Sequence, residues 1–144
     1  MATQIQVVMD CSDPARLSEF WAAALGYILQ PPPEGYASWD ELLSEMGVPE
    51  SERNSASAVV DPDGAGPRIY FQRVPEPKSA KNRVHLDLNV GGGRDTPEDE
   101  KRRRVDDRVR ELVGAGAAIV RDAEERGERW VVMQDPEGNE FCVQ

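Results

Sequence analysis

Residues Ile5 to Cys11 alternate apolar Ile5, Val7 and Met9 with Gln6, Val8 and Asp10, a period of two that predicts a strand with one face on a core. A helix follows at once. Asp13 can cap it, Pro14 fits its first turn, and Leu17, Phe20, Trp21, Ala24 and Leu25 form one apolar stripe up to a terminating Gly26. Further strands are predicted at Tyr27–Leu29, Ser57–Asp61 and Arg68–Val74, giving the order βαβββ.

The second half repeats that order. Arg83–Val90 places Val84, Leu86, Leu88 and Val90 on one side and Arg83, His85, Asp87 and Asn89 on the other, the pattern of a half-buried strand. Thr96 and Pro97 open a helix with Asp99 at the third position of a capping box, and Val105, Val109, Leu112 and Val113 supply its stripe. Strands follow at Ala117–Arg121, Arg129–Gln134 and Glu140–Gln144. The turn VVDPDG near Val59 returns as DPEG at Asp135, so the chain reads as a duplicated module, an arrangement that places a pocket between copies. One domain spans residues 1–144, with module one at 1–74, a Pro-rich polar linker at 75–82 and module two at 83–144.

Two stretches break the symmetry. Residues 30–56 form an insertion containing a short helix at Ser38–Met46, read either as a lid or as a surface excursion packed by Trp39, Leu42, Leu43 and Met46. The run Gly91–Gly93 lacks the spacing of a phosphate-binding loop and reads as a flexible strand-to-helix turn.

Charge narrows the function. With 27 acidic and 17 basic residues the net charge is −10, which opposes the phosphate neutralisation behind nucleic-acid binding. The basic run Lys101–Arg104 does not change this, because Glu98–Arg102, Asp99–Arg103 and Glu100–Arg104 stand at i,i+4 spacing on one helix. No apolar run approaches membrane-spanning length and the first residues resemble no secretion signal, so a cytoplasmic protein is expected. Cys11 and Cys142 have no metal-knuckle or disulfide-framework spacing and are expected as free thiols.

The βαβββ repeat, the SDPARLSEFWAAALGY helix, the KNRVHLDLNV strand and the DPEGNEFCV terminus together resemble the glyoxalase/bleomycin-resistance/dioxygenase superfamily, the vicinal oxygen chelate fold, and within it the glyoxalase-like domain proteins. The resemblance implies an α+β fold whose two modules form a curved mixed sheet around a cavity. It covers nearly the whole chain but does not choose a reaction, since the superfamily holds metal-dependent lyases, isomerases, dioxygenases and thiol transferases alongside proteins that only sequester antibiotics. Four positions project into the cavity of metal-dependent members. Matched motif to motif, they fall on Gln6, Gln72, His85 and Cys142.

Strand parity adds the neighbours of that set. Gln6 shares a face with Asp10, Gln72 with Tyr70, His85 with Asp87, and Cys142 with Glu140, while the opposite faces are apolar. His85 is the only histidine, which excludes any site needing two. Cys142 with His85 is too few for a closed zinc site, so no metal and no cofactor are expected, although Glu140 could add a carboxylate. A Cys142–His85 nucleophilic pair is a weaker alternative to an inert buried thiol.

The preferred reading is a small-molecule-binding protein without a tightly bound metal, its ligand contacted by Gln6, Asp10, Trp39, Tyr70, Gln72, Asp87 and Cys142. The alternative is a superfamily lyase or isomerase in which His85 or Glu140 moves a proton, with or without a divalent metal. A third is a partner-binding module. Exposed sheet edges and the superfamily's paired modules favour a homodimer.

Overall fold

A computed structural model describes residues 1–144, and the chain divides into two compact units, Met1–Pro77 and Lys78–Gln144. The first contains β1 (Val7–Cys11), α1 (Pro14–Leu25), β2 (Ile28–Leu29), α2 (Trp39–Glu45), a 3-10 turn (Glu50–Glu52), β3 (Ala56–Val60) and β4 (Ile69–Arg73). The second contains β5 (Asp87–Leu88), α3 (Glu98–Gly114), β6 (Ala118–Glu125), β7 (Glu128–Gln134) and β8 (Glu140–Val143). The fold is α+β. Each unit carries a four-stranded mixed sheet, ordered β1-β4-β3-β2 in one and β5-β8-β7-β6 in the other, with the first strand parallel to the last in both. The repeat is therefore one of topology as well as of motif.

The same turn closes both copies. Asp61 accepts hydrogen bonds from the backbone N–H of Asp63, Ala65 and Gly66, and Asp135 accepts from those of Glu137 and Asn139. Gly64 and Gly138 occupy the left-handed conformation that such a turn needs, at φ of 70° and 86°.

In the first unit α1 begins as its sequence dictates. The Asp13 carboxylate accepts from the Arg16 N–H at 3.3 Å and from the Asn54 amide at 2.8 Å, and Gly26 ends the helix in the left-handed region. Leu17, Phe20, Trp21 and Ala24 are buried, as are Val59, Ile69 and Phe71 of the sheet. Phe20 and Trp21 pack edge to face with centroids 5.5 Å apart. Ser18, wholly buried on the same face, donates to the Ala15 carbonyl and accepts from Ser57 at 2.8 Å, so no orphaned polar group remains there. The insertion does form a short helix, capped by the Ser38 hydroxyl, but none of its residues is buried.

Four expectations for the second unit require correction. The strand expected over Arg83–Val90 is only two residues long, Asp87–Leu88, and its single hydrogen-bonding neighbour is β8. Leu86, Leu88 and Val90 still exchange backbone bonds with Cys142 and Gln144, whereas Val84 lies beyond the end of β8 and is exposed. The capping box is absent too. The N-cap falls one residue later, on Pro97, and Glu98, Asp99 and Glu100 instead place their charges against the positive end of the α3 dipole. Of the stripe, Val105, Val109 and Leu112 are buried while Val113 is exposed. Of the three i,i+4 pairs only Glu100–Arg104 forms; Glu98 meets Lys101, and Arg102 reaches across to Glu124 on β6.

Asp13→Ala removes both the α1 cap and the partner of Asn54, and should lower stability by about 1 kcal/mol, measured by urea denaturation of the whole chain.

Candidate functional site

The site begins with β8. Phe141 and Val143 are wholly buried, and the two-residue period of a strand sends Cys142 and Glu140 to the opposite face. Parallel pairing sets Asp87 directly beside Cys142, and antiparallel pairing sets Val132 on the other side. His85 stands two residues before Asp87, with Nε2 at 3.3 Å from its carboxylate. One ligand atom from each of His85, Asp87 and Cys142 lies within 4.8 Å of the others. Both His85 and Asp87 remain 43% exposed, so the cluster is open to solvent above a nearly buried thiol.

The order of the cluster decides its chemistry. Burial pushes the Cys142 thiol pKa up, and the Asp87 charge and the thiol's own hydrogen bond to that carboxylate push it further, against weaker opposition from Lys81 and Arg121. The carboxylate therefore sits between thiol and imidazole. A thiolate nucleophile needs the imidazole in that middle place, so this arrangement gives a neutral thiol and two polar acceptors in place of an activated pair.

Glu140 does not join the cluster. Its carboxylate accepts from the Asn82 N–H at 3.0 Å and pairs with Lys78 at 3.2 Å, which fastens residues 78–82 to β8. The Asn82 N–H is the main cause that lowers its pKa, and an acid held ionised in this way is a weak proton acceptor.

The polar face of the first unit resolves into two groups. At one end Gln72 donates to Asp10 at 2.9 Å. At the other, Arg68 donates to Gln6 at 2.8 Å and to Gln30 at 2.7 Å, with its guanidinium 5.3 Å from the centre of the Tyr70 ring. Arg68 was not among the expected site residues, although it has the parity of Tyr70 and Gln72. Trp39 is absorbed by the insertion, where its indole N–H donates to the Gln30 carbonyl at 2.7 Å. In the second unit, a cavity of about 290 Å³ lies among Gly91, Lys101, Arg102, Arg129 and Trp130. Its cations already face Glu98, Glu124, Asp106 and Asp122, so it offers no free charge to a ligand.

The sequence matches the glyoxalase-like domain family over residues 6–144. The chain belongs to that family. No curated protein matches it. Among solved structures, this glyoxalase-like domain is similar to hypothetical protein SA1046 from S. aureus, at 14% identity over 99% of this chain and 93% of that one, with a TM-score of 0.64. It is also similar to a glyoxalase/bleomycin resistance protein/dioxygenase family enzyme from Burkholderia phytofirmans PsJN, at 16% identity, coverage of 96% and 94%, and a TM-score of 0.63. A third is the fosfomycin resistance protein FosX from Listeria monocytogenes, at 9% identity, coverage of 99% and 92%, and a TM-score of 0.62. At these identities the likeness is one of fold.

The superfamily's divalent metal can be tested against the donors present. A tetrahedral ion with bonds of about 2.0 to 2.3 Å holds its ligand atoms roughly 3.3 to 3.8 Å apart. His85 and Asp87 already stand at 3.3 Å, and all three donors lie within 4.8 Å, so small side-chain rotations close the set. The donors fit an open three-ligand site of imidazole, carboxylate and thiolate. Asp87 is what the ligand count from sequence left out: it was placed on the right face but not counted as a donor.

The lowered Glu140 pKa has a measurable consequence. Its contribution to stability is present above the ordinary glutamate value of 4.5 and is lost as pH falls through the lower folded value. Glu140→Gln should therefore lower the thermal midpoint at neutral pH, with the gap to wild type closing in acid below 4.5.

Proposed function

We propose that this glyoxalase-like domain is a small-molecule-binding protein that holds its ligand against the polar face built around His85, Asp87 and Cys142. The observation that carries this reading is the convergence of three polar groups, with the His85 imidazole and the Asp87 carboxylate open to solvent above the nearly buried Cys142 thiol. An imidazole, a carboxylate and a thiol give directed hydrogen bonds, and Val132 beside Cys142 gives apolar surface. Sequestration needs nothing more, and no bound metal is part of this reading.

A second reading is favoured by the same three donors. They could hold a divalent ion that stabilises negative charge on a substrate oxygen, in a lyase or isomerase with proton transfer. His85 is the better placed proton carrier, because Glu140 is committed to Lys78 and Asn82. The two readings differ in what they require of His85, Asp87 and Cys142: ligand contact in one, metal retention in the other.

A ligand panel that includes fosfomycin, the antibiotic named for one structural relative, should raise the thermal midpoint for at least one compound with no product formed. Such a shift should shrink in Asp87→Asn. Stoichiometric divalent metal in the purified protein, lost in His85→Ala and Asp87→Asn, would favour the second reading over the first.

A further inference from the structure

We infer that Arg68 is an anion-recognition group, so that the face of the first unit takes a ligand carrying a carboxylate or another oxyanion. The first unit contains four basic side chains, all arginines. Arg53 pairs with Asp40 at 3.1 Å, Arg73 pairs with Glu52 at 3.0 Å, and Arg16 lies in the field of Asp13. Arg68 has no carboxylate in pairing range. In a chain of net charge −10 its positive charge is held instead by two neutral amides and a phenol ring.

That holding is selective about which donors it uses. Nε–H goes to Gln30 and one N–H of Nη1 goes to Gln6. A guanidinium has five N–H donors, so one on Nη1 and both on Nη2 remain. This is the pair of nitrogens that a carboxylate bridges end-on. The two amides and the ring fix the fork in advance, which reduces the entropy lost when an anion docks.

The rest of the face is consistent with that class of ligand. Val8 pairs with Tyr70 across β1 and β4, and Asp10 pairs with Gln72 one step further along the same face. Arg68 immediately precedes β4 and stands four residues from Gln72, or about 13 Å along an extended chain. That backbone separation exceeds the screening length of about 8 Å at physiological salt, and Asp10, which accepts from Gln72, forms no ion pair with Arg68. An anionic head at Arg68 with a short apolar body over Val8 and Tyr70 meets the charges and surfaces present. The inference rests on the reading of the chain as a small-molecule-binding protein, and adds to it a second face that takes an anionic ligand.

Benzoate and benzamide share a shape and differ in charge. Titrated into the isotope-labelled full chain, benzoate should shift the Nε–H signal of Arg68 with the backbone signals of Gln6 and Tyr70, and should bind roughly tenfold or more tightly than benzamide. Arg68→Gln should erase the preference, and Arg68→Lys, which keeps the charge without the fork, should retain part of it. The amide spectrum of each variant reports whether it is folded. Equal binding of the two probes, a preference that survives Arg68→Gln, or no response on this face overturns the inference. If panel compounds bind near Cys142 while benzoate ignores Arg68, only this inference fails; if no compound binds anywhere, the parent reading fails with it.

Discussion

The chemistry of the second unit depends on the burial of Phe141 and Val143. Because strand side chains alternate, two residues fixed beneath the sheet leave Cys142 no choice of side, and pairing with β5 then fixes Asp87 as its neighbour. A slip of one residue would bury the thiol under α3 and turn Phe141 to the open face. Deleting either buried side chain would cost a few kcal/mol, about 3–5 for a Phe→Ala change, so the register is among the most strongly held features of the unit. The site inherits its geometry from the core.

What that geometry makes is a cluster centred on a carboxylate. Asp87 stands 3.3 Å from the imidazole and beside the thiol, and its charge adds to burial in raising the Cys142 pKa. The same carboxylate converts an insufficient His–Cys pair into three donors that fit an open metal site, so one residue weakens the nucleophile reading and strengthens the metal reading. Ligand contact and metal retention both run through Asp87.

Much of this was legible in the sequence because it follows from periodicity. The βαβββ order, the α1 cap at Asp13, the helix within the insertion and the faces of Tyr70, Gln72, His85 and Cys142 all rest on local rules that the packing obeys. The failures are tertiary. Alternation over Arg83–Val90 promised a full strand, but only Asp87 and Leu88 pair with a neighbour, β8. Glu140 has the parity of Cys142, yet Lys78 and Asn82 claim its carboxylate, which no pattern within β8 announces. Arg68 is the instructive case. Its parity was readable; what was not readable is that it alone among four arginines finds amides in place of an acid.

The central claim is that Asp87 couples to Cys142 through the register set by β8. Its most direct test is the ionisation of the Cys142 thiol, followed by thiolate absorbance against pH in a Cys11→Ala background. The account predicts a thiol that titrates above the ordinary value of 9.0 and moves down when Asp87→Asn removes the neighbouring charge. The same titration with and without the Asp87 carboxylate would contradict it.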